Sequence, residues 1–303
     1  MTRIAVTGGS GFVGRHVADR LRVAGHEVVL LSRGSGFDLA FPDIAALTRA
    51  LEGCSAVVHT AGINREIGTQ KYDAVHIRGT QALVAAAKAA GVKRVSLVSF
   101  LRARPDGPSS YHRSKWAAEA IVRESGLAYT ILKCGVIFGR GDHMLDHLSH
   151  ALHTFPVFGL VGLRERPVRP VAVDDVARIL EAAAEGDPRL LDRTIAVLGP
   201  DAMALGEAVR RVGRVIGREP RYVRLPIAVH LVLGRICEAM MRVPLIAVAQ
   251  VHILAEGVVE PAPYAPPPPN DLVPRTRFDD DMIRAGLPEP GPFRCRDLRW
   301  WPA

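Results

Sequence analysis

A doubly wound parallel α/β sheet with a smaller, mostly helical C-terminal lobe is the fold class this sequence predicts, on three observations. Short β-branched runs alternate with helical patterns through the first two thirds of the chain. Those runs are apolar throughout rather than at every second residue, as strands covered on both faces must be. A glycine (Gly25, Gly53, Gly91 and Gly126) stands just past each of the first four helical patterns, where a left-handed residue ends a helix.

The predicted strands are Arg3–Thr7, Glu27–Leu31, Ser55–Thr60, Lys93–Ser99 and Ala128–Lys133, and the helices between them Phe12–Ala24, Pro42–Leu51, Lys71–Ala90 and Ser110–Ser125. After residue 134 the rhythm breaks. A helix near Met144–His153 precedes a Gly/Pro-rich loop, Phe155–Pro170, and Asp174 or Asp175 reads as the N-cap of a helix ending near Glu185. A strand at Thr194–Leu198 follows, then helices near Leu205–Ile216, Ile227–Met241 and Leu245–Glu256, with a strand at Arg221–Leu225 between the first two. Pro261–Pro274 is proline-rich and extended, read as a connecting meander rather than a polyproline ligand.

Composition narrows the class. The 303 residues are 48% hydrophobic and 23% charged, which excludes disorder and is long enough to bury a full core. The net charge is +8, yet only five of 39 basic residues are lysines and no basic run reaches nucleic-acid-patch length, so no nucleic-acid partner is expected. Cys54, Cys134, Cys237 and Cys295 stand far apart, which argues against a metal site and a disulfide framework. The longest apolar stretch, Val243–Ala255, falls short of the roughly 18 residues of a membrane span, and the first strand begins too early for a signal peptide. A cytoplasmic protein without a transmembrane segment is expected, with a peripheral membrane position as the alternative.

Two motifs carry chemistry. Thr7-Gly8-Gly9-Ser10-Gly11-Phe12-Val13-Gly14 links the first strand to the first helix, the context of a pyrophosphate cradle: glycines permit the tight turn and the close backbone approach, and the helix N-terminus offers N–H groups. That is the Rossmann arrangement, placing a dinucleotide domain at 1–135 with 168–200 returning to it, and a substrate or partner lobe at 136–167 and 201–303. The second strand ends in Ser32-Arg33 where an NAD site places a carboxylate. Ser32 cannot repel a 2′-phosphate, and Arg33, with Arg15, can grip one, so NADP(H) is expected over NAD(H). Asp38 is a candidate for the adenine amino group or for a cap.

Tyr111-His112-Arg113-Ser114-Lys115 places a phenol and an ammonium on one helix face. Lys115 is expected to lower the Tyr111 pKa so that the phenol can exchange a proton with an alcohol or carbonyl. The substrate expected is a small apolar molecule.

These residues resemble the short-chain dehydrogenase/reductase superfamily in its extended and atypical branches. His59-Thr60-Ala61-Gly62 is similar to the segment lining the cofactor, Gly79-Thr80 to the GT of extended members, Lys133–Asp142 to an RPGxVYGPGD segment, and Pro170–Ala177 to PVHVDDVA. The resemblance implies cofactor contacts at Thr60, Ala61 and Gly62 and at Tyr111 and Lys115, besides the glycine loop. Around Ser109–Lys115, at Ile137–Arg140 and in the helices after Leu225, the chain is most similar to the NADP(H)-binding accessory subunit of respiratory complex I and its bacterial relatives. That implies a membrane-complex partner and a structural role as the alternative to turnover. Three positions depart from the pattern. Ser99-Phe100 replaces the usual SS or ST pair, leaving Ser99, Ser109 or Ser110 as the candidate catalytic hydroxyl. His76 stands for the structural Asn, and Lys133-Cys134 for Arg-Pro. Epimerase chemistry is the less favoured expectation.

Overall fold

A computed structural model describes residues 1–241, 245–287 and 291–293. The chain forms two compact units: residues 1–134, 173–197 and 260–275 in the first, and 135–172, 198–259 and 276–303 in the second. The proline-rich stretch thus belongs with the first unit, not with the C-terminal lobe the sequence assigned it to.

The first unit is built on one parallel sheet. Strands β1 (Arg3–Thr7), β2 (Glu27–Leu31), β3 (Ala56–His59), β4 (Arg94–Phe100) and β5 (Ala128–Cys134) match the sequence reading to within a residue or two at each end. β1 pairs with β2 on one side and β3 on the other, with Ala5 opposite both Val29 and Val57. The remaining central strand, β10 (Arg193–Val197), lies beyond β5, giving the order β10-β5-β4-β3-β1-β2. The chain therefore reverses direction of travel across the sheet at β1/β3, the switch point where an open α/β sheet leaves a crevice at its carboxyl edge.

Helix α1 (Phe12–Val23) packs against α6 (Val173–Glu185), while α2 (Ile44–Leu51), α3 (Gly79–Ala89) and α4 (Ser110–Arg123) form a second packed group. Leu47, Leu51, Leu83, Leu97, Val122 and Ile131 meet in one buried cluster of that group. All four stop glycines have positive φ, from +73° to +84°. The helical pattern from Lys71 resolves into a π-helical turn, Asp73–Arg78, running straight into α3. Such turns are uncommon and cluster at functional sites. The far edge of β10 is covered rather than open: Ala196 N–H donates to Pro266 O at 2.7 Å, and Arg178 donates to the carbonyls of Asp271 and Val273. Prolines lack the N–H another strand would need, so the meander closes the edge.

In the second unit β6 (Ile137–Phe138) pairs with β9 (Val171–Ala172). β7 (Val157–Val161) pairs with β12 (Arg221–Leu225), and β8 (Pro167–Val168) with β11 (Met203–Ala204). Helices α5 (His143–Thr154), α7 (Leu205–Val215), α8 (Ile227–Met240), α9 (Val248–Glu256) and α10 (Asp280–Gly286) complete it. Two expectations are corrected. The 155–170 stretch is not all loop, because β7 and β8 find partners distant in sequence. Asp174 and Asp175 lie inside the first turn of α6, not at its N-cap; Asp175 is buried and accepts from Arg178 and from the Arg275 N–H, while Asp174 pairs with His16. Cys54, Cys134 and Cys237 are free thiols, and Cys295 lies outside the described residues. Among the described residues no helix is long and apolar enough to cross a membrane.

Candidate functional site

The glycine loop sits at the carboxyl end of β1, and each glycine does a different job. Gly8 has φ +67°, and a Cβ there would lie 2.7 Å from Ala61 Cα, so the loop touches the segment after β3. Gly9 packs on Leu30 of β2. A Cβ on Gly14 would fall 2.2 Å from Gly8 O and 2.8 Å from Thr60 Oγ1, so only glycine lets α1 start this close to the strand. Gly11 is the N-cap of α1 and no side chain caps it. Ser10, Gly11 and Arg15 are exposed, while Phe12 and Val13 are half-buried beneath them, with Phe12 edge-on to His16. A glycine-rich turn that leaves a positive helix end uncapped by any side chain has the chemistry a pyrophosphate requires, and these residues fit a dinucleotide.

Thr60 Oγ1 donates to Thr7 O at 2.7 Å, fixing the Thr60-Ala61-Gly62 segment to β1. His59 is sealed between the hydroxyls of Thr7 (2.7 Å) and Thr80 (3.0 Å), and burial holds its imidazole neutral, down to about 3. At the end of β2, Ser32 opens a short 3-10 turn, Arg33–Ser35; Ser32 is half-buried, and Arg33 is exposed with no ion-pair partner among the described residues. Asp38 is engaged, accepting from Ala40 N–H and from the Gln70 amide, so it serves the chain's own turn.

Helix α4 starts at Ser110 and carries Tyr111 and Lys115 on one face. The Lys115 side chain is buried and its Nζ donates to Val98 O of β4 at 3.0 Å. A Cβ on Gly62 would lie 3.2 Å from that Nζ and 3.3 Å from His76 Nε2, so the segment after β3, the π-helical turn and α4 converge on one place. Burial lowers the Lys115 ammonium to about 8, against a smaller raising effect from the Cys134 and Glu119 side chains.

Tyr111 departs from its expectation. Lys115 does not lower it; burial raises the phenol above its ordinary value, leaving it firmly protonated. Aromatic rings account for that burial: Phe100 at 5.5 Å between centroids, Tyr72 at 5.7 Å, His76 at 6.0 Å and His112 at 6.1 Å. Phe100 thus occupies the neighbourhood where the resembled superfamily carries a hydroxyl.

Each of the three candidate serine hydroxyls bonds to a group other than the Tyr111 phenol. Ser99 Oγ donates to Glu119 Oε1 at 2.5 Å, Ser109 bonds to His112 Nδ1 at 2.7 Å, and Ser110 accepts from Arg113. Glu119 was not singled out in the sequence, although it continues the four-residue spacing from Tyr111 through Lys115. It is fully buried and also accepts from Lys133 Nζ, itself buried, and from Arg123. His76 gains a role as well. Its Nε2 accepts the Ile63 N–H at 3.0 Å, which leaves Nδ1 protonated to donate to Ser114 Oγ at 2.8 Å; Ser114 in turn donates to Tyr111 O. Burial keeps this imidazole neutral. A histidine therefore ties the segment after β3 to the helix that carries Tyr111.

Comparison with known proteins identifies the family. Residues 4–190 match the NAD dependent epimerase/dehydratase family. The chain is 29% identical over 248 residues to the ceramide reductase of Caulobacter vibrioides, covering 78% of this chain and 77% of that protein. It is 30% identical over 233 residues to the (4-alkanoyl-5-oxo-2,5-dihydrofuran-3-yl)methyl phosphate reductase of Streptomyces griseus, covering 73% and 77%. Against the Mus musculus mitochondrial NADH dehydrogenase (ubiquinone) 1 alpha subcomplex subunit 9 it is 28% identical over 249 residues, covering 76% of this chain and only 66% of that protein. Among solved structures, the UDP-glucose 4-epimerase of Thermotoga maritima superposes with a TM-score of 0.66 at 18% identity, over 94% of this chain and 97% of that one, a likeness of fold. The chain is a member of the NAD dependent epimerase/dehydratase family, within the extended short-chain dehydrogenase/reductase superfamily.

Proposed function

We propose that this protein is an NADP(H)-dependent reductase of an apolar carbonyl compound, with Tyr111 as the proton donor and Lys115 as the residue that holds the nicotinamide ribose. The observation that carries the proposal is the pair itself: a protonated phenol and a buried ammonium, four residues apart on α4, beside the segment that follows β3. When bound, the dinucleotide supplies the hydride. The chain's own residues do the rest. The Tyr111 phenol, kept neutral by its aromatic surroundings, delivers a proton to the carbonyl oxygen as negative charge builds there. Lys115 would hold the ribose and supply positive charge to the site, and Val98 O sets the direction of its Nζ. Phe100 and Tyr72, which flank Tyr111, suit an apolar substrate, and two of the relatives are named as reductases, one of them a ceramide reductase.

Ser32 and Arg33 at the end of β2 support NADP(H): no carboxylate stands there to repel a 2′-phosphate, and Arg33 is exposed to receive one. In a screen of apolar aldehydes and ketones, Tyr111→Phe is expected to lower substrate-dependent NADPH oxidation by roughly 10²–10⁴-fold while NADPH binding persists. Undiminished turnover in that variant overturns the assignment of Tyr111.

A second reading, dinucleotide binding without turnover as an accessory part of a respiratory complex, is favoured by Phe100 lying against Tyr111 in place of a hydroxyl. It predicts that no carbonyl compound oxidises NADPH and that the protein co-purifies with a membrane complex irrespective of Tyr111→Phe.

A further inference from the structure

Three buried hydroxyls and two buried imidazoles connect the end of β1 to the first turn of α4. Thr7 precedes the glycine loop, His59 ends β3, His76 belongs to the π-helical turn, Thr80 lies in the first turn of α3, and Ser114 stands between Tyr111 and Lys115. Counting protons fixes the direction of each bond. The Thr80 hydroxyl has one hydrogen and gives it to His76 O at 2.6 Å, since a carbonyl only accepts. Toward His59 Nε2, 3.0 Å away, Thr80 can then only accept, so Nε2 carries the hydrogen of the neutral ring. His59 Nδ1 is left as a lone pair and takes the Thr7 hydroxyl hydrogen at 2.7 Å, while Thr7 Oγ1 accepts the Ala61 N–H at 3.4 Å. His76 has the opposite tautomer: its Nε2 accepts the Ile63 N–H, and its Nδ1 donates to Ser114, which donates to Tyr111 O at 3.0 Å.

All donors run one way, from the segment after β3 toward the helix that carries Tyr111, and bonds aligned in this manner reinforce one another in a low-dielectric interior. Imidazole accepts at one edge and donates at the other across a rigid ring, which transmits position in a way that a flexible amide does not. Charging either ring breaks the run. A second hydrogen on His76 would meet the Ile63 N–H head-on, and one on His59 Nδ1 would point at the hydrogen of Thr7. Burial of both rings and the Lys115 ammonium, which faces both, oppose that charge. Tyr72 at 5.5 Å and Tyr111 at 6.0 Å between centroids pack against the His76 ring.

We propose that His59 and His76 are positioning residues: as a brace of opposite tautomers they hold the first turn of α4, and with it the Tyr111 phenol, in register with the end of β1 where the glycine loop begins. This role rests on the reading of Tyr111 as proton donor and deepens it. The brace acts through the phenol on the reaction step and leaves dinucleotide and substrate binding unchanged.

Nitrogen NMR of the histidine side chains in the full chain tests the brace without a substrate, with His59→Gln and His76→Gln assigning the two signals. His59 is expected as the Nε2–H form and His76 as the Nδ1–H form, both unchanged from about pH 8 to about pH 5.5. The same tautomer in both rings, or titration of either within that range, overturns the proposal. Kinetics test the role, with NADPH and long straight-chain aldehydes and 2-ketones as probes. Ser114→Ala cuts the brace next to Tyr111 and is expected to lower kcat by about 10–10²-fold per folded molecule, with KM and the calorimetric NADPH Kd within about twofold of wild type. In the Tyr111→Phe background the same substitution is expected to cost nothing further, because the brace acts through the phenol. Should Ser114→Ala unfold, His76→Gln, which keeps an acceptor for the Ile63 N–H but cannot also hold Ser114, provides the same comparison. A fall in the folded fraction alone, or an equal loss in both backgrounds, overturns the positioning role. Undiminished turnover in Tyr111→Phe, or none by the wild type, instead removes the reading of Tyr111 and the positioning role with it, while the tautomers decide the brace separately.

Discussion

Lys115 shows at the scale of one residue how a functional group works against the fold that holds it. Its ammonium is lowered from 10.5 to about 8 because burial disfavours the charge. Between those values the folded protein binds fewer protons than the unfolded chain, so this residue's penalty is fully present below about pH 8 and fades as pH rises toward 10.5. The shift corresponds to about 3 kcal/mol. Lys115→Met is therefore expected to raise the urea-unfolding free energy at pH 7 by about 1–3 kcal/mol, with the gain shrinking near pH 10. A loss of stability at pH 7 would contradict the burial argument. In the same wild-type protein, kcat/KM for carbonyl reduction is expected to fall as pH rises through about 8, where the ammonium is lost, while the raised Tyr111 phenol stays protonated. Both motif residues were legible in the sequence as a spaced pair; the direction of the Tyr111 shift was not. Phe100 on β4 and the Tyr72/His76 pair at the π-helical turn are distant from Tyr111 in the chain, and only packing sets them around the phenol beside its neighbour His112.

At the scale of elements, α4 is positioned from below as well as used from above. Tyr111, Lys115 and Glu119 follow each other at four-residue steps, and Glu119 fastens the helix to β4 through Ser99 and to β5 through Lys133. Replacing Glu119 by Gln leaves the Lys133 ammonium buried without its counter-charge, at an expected cost of roughly 3–5 kcal/mol by denaturant unfolding. Adding Lys133→Met to that variant should recover part of the loss, a coupling that independent sites would not show. The start of α1 is as tightly specified. A methyl group on Gly14 would lie 2.2 Å from Gly8 O, so Gly14→Ala is expected to push the helix off the loop, destabilise by on the order of 2 kcal/mol and abolish dinucleotide binding in a calorimetric titration. The parallel strands and their helices could be read from the sequence because their signals are local: apolar runs, glycine stops and periodicity. β7 and β8 could not, because they are defined by pairing with β12 and β11, some 35 to 65 residues further on.

For the whole molecule, ligand binding and folding are linked, so the cofactor preference can be measured on the intact chain without knowing the substrate. NADPH at a hundredfold excess over its Kd is expected to add about 2.7 kcal/mol to the unfolding free energy of the wild type, and NADH at the same concentration less. Arg33→Asp should reverse that order in thermal unfolding, since a carboxylate repels a 2′-phosphate and accepts a ribose hydroxyl. An unchanged NADPH shift would remove Arg33 from the site. The proline-rich segment acts at this scale too. From sequence it read as a connector, and in the fold it seals the β10 edge of the sheet through Ala196 and Pro266.

Residue order alone settled the α/β class, the six central strands, the glycine loop, the Tyr111–Lys115 pair and the family, because each is written in spacing over fewer than about ten residues or in a repeat of such units. Tertiary packing decided which ring faces Tyr111, where the Ser99 hydroxyl goes, that His76 links two segments of the site, and that Val229, Val232, Leu233 and Ile236 of α8 face outward. Each of these depends on which distant segment fills the space beside a side chain. A helix with apolar residues at helical spacing reads the same whether a partner covers that face or not, and only the folded chain shows that among its own described residues nothing buries it.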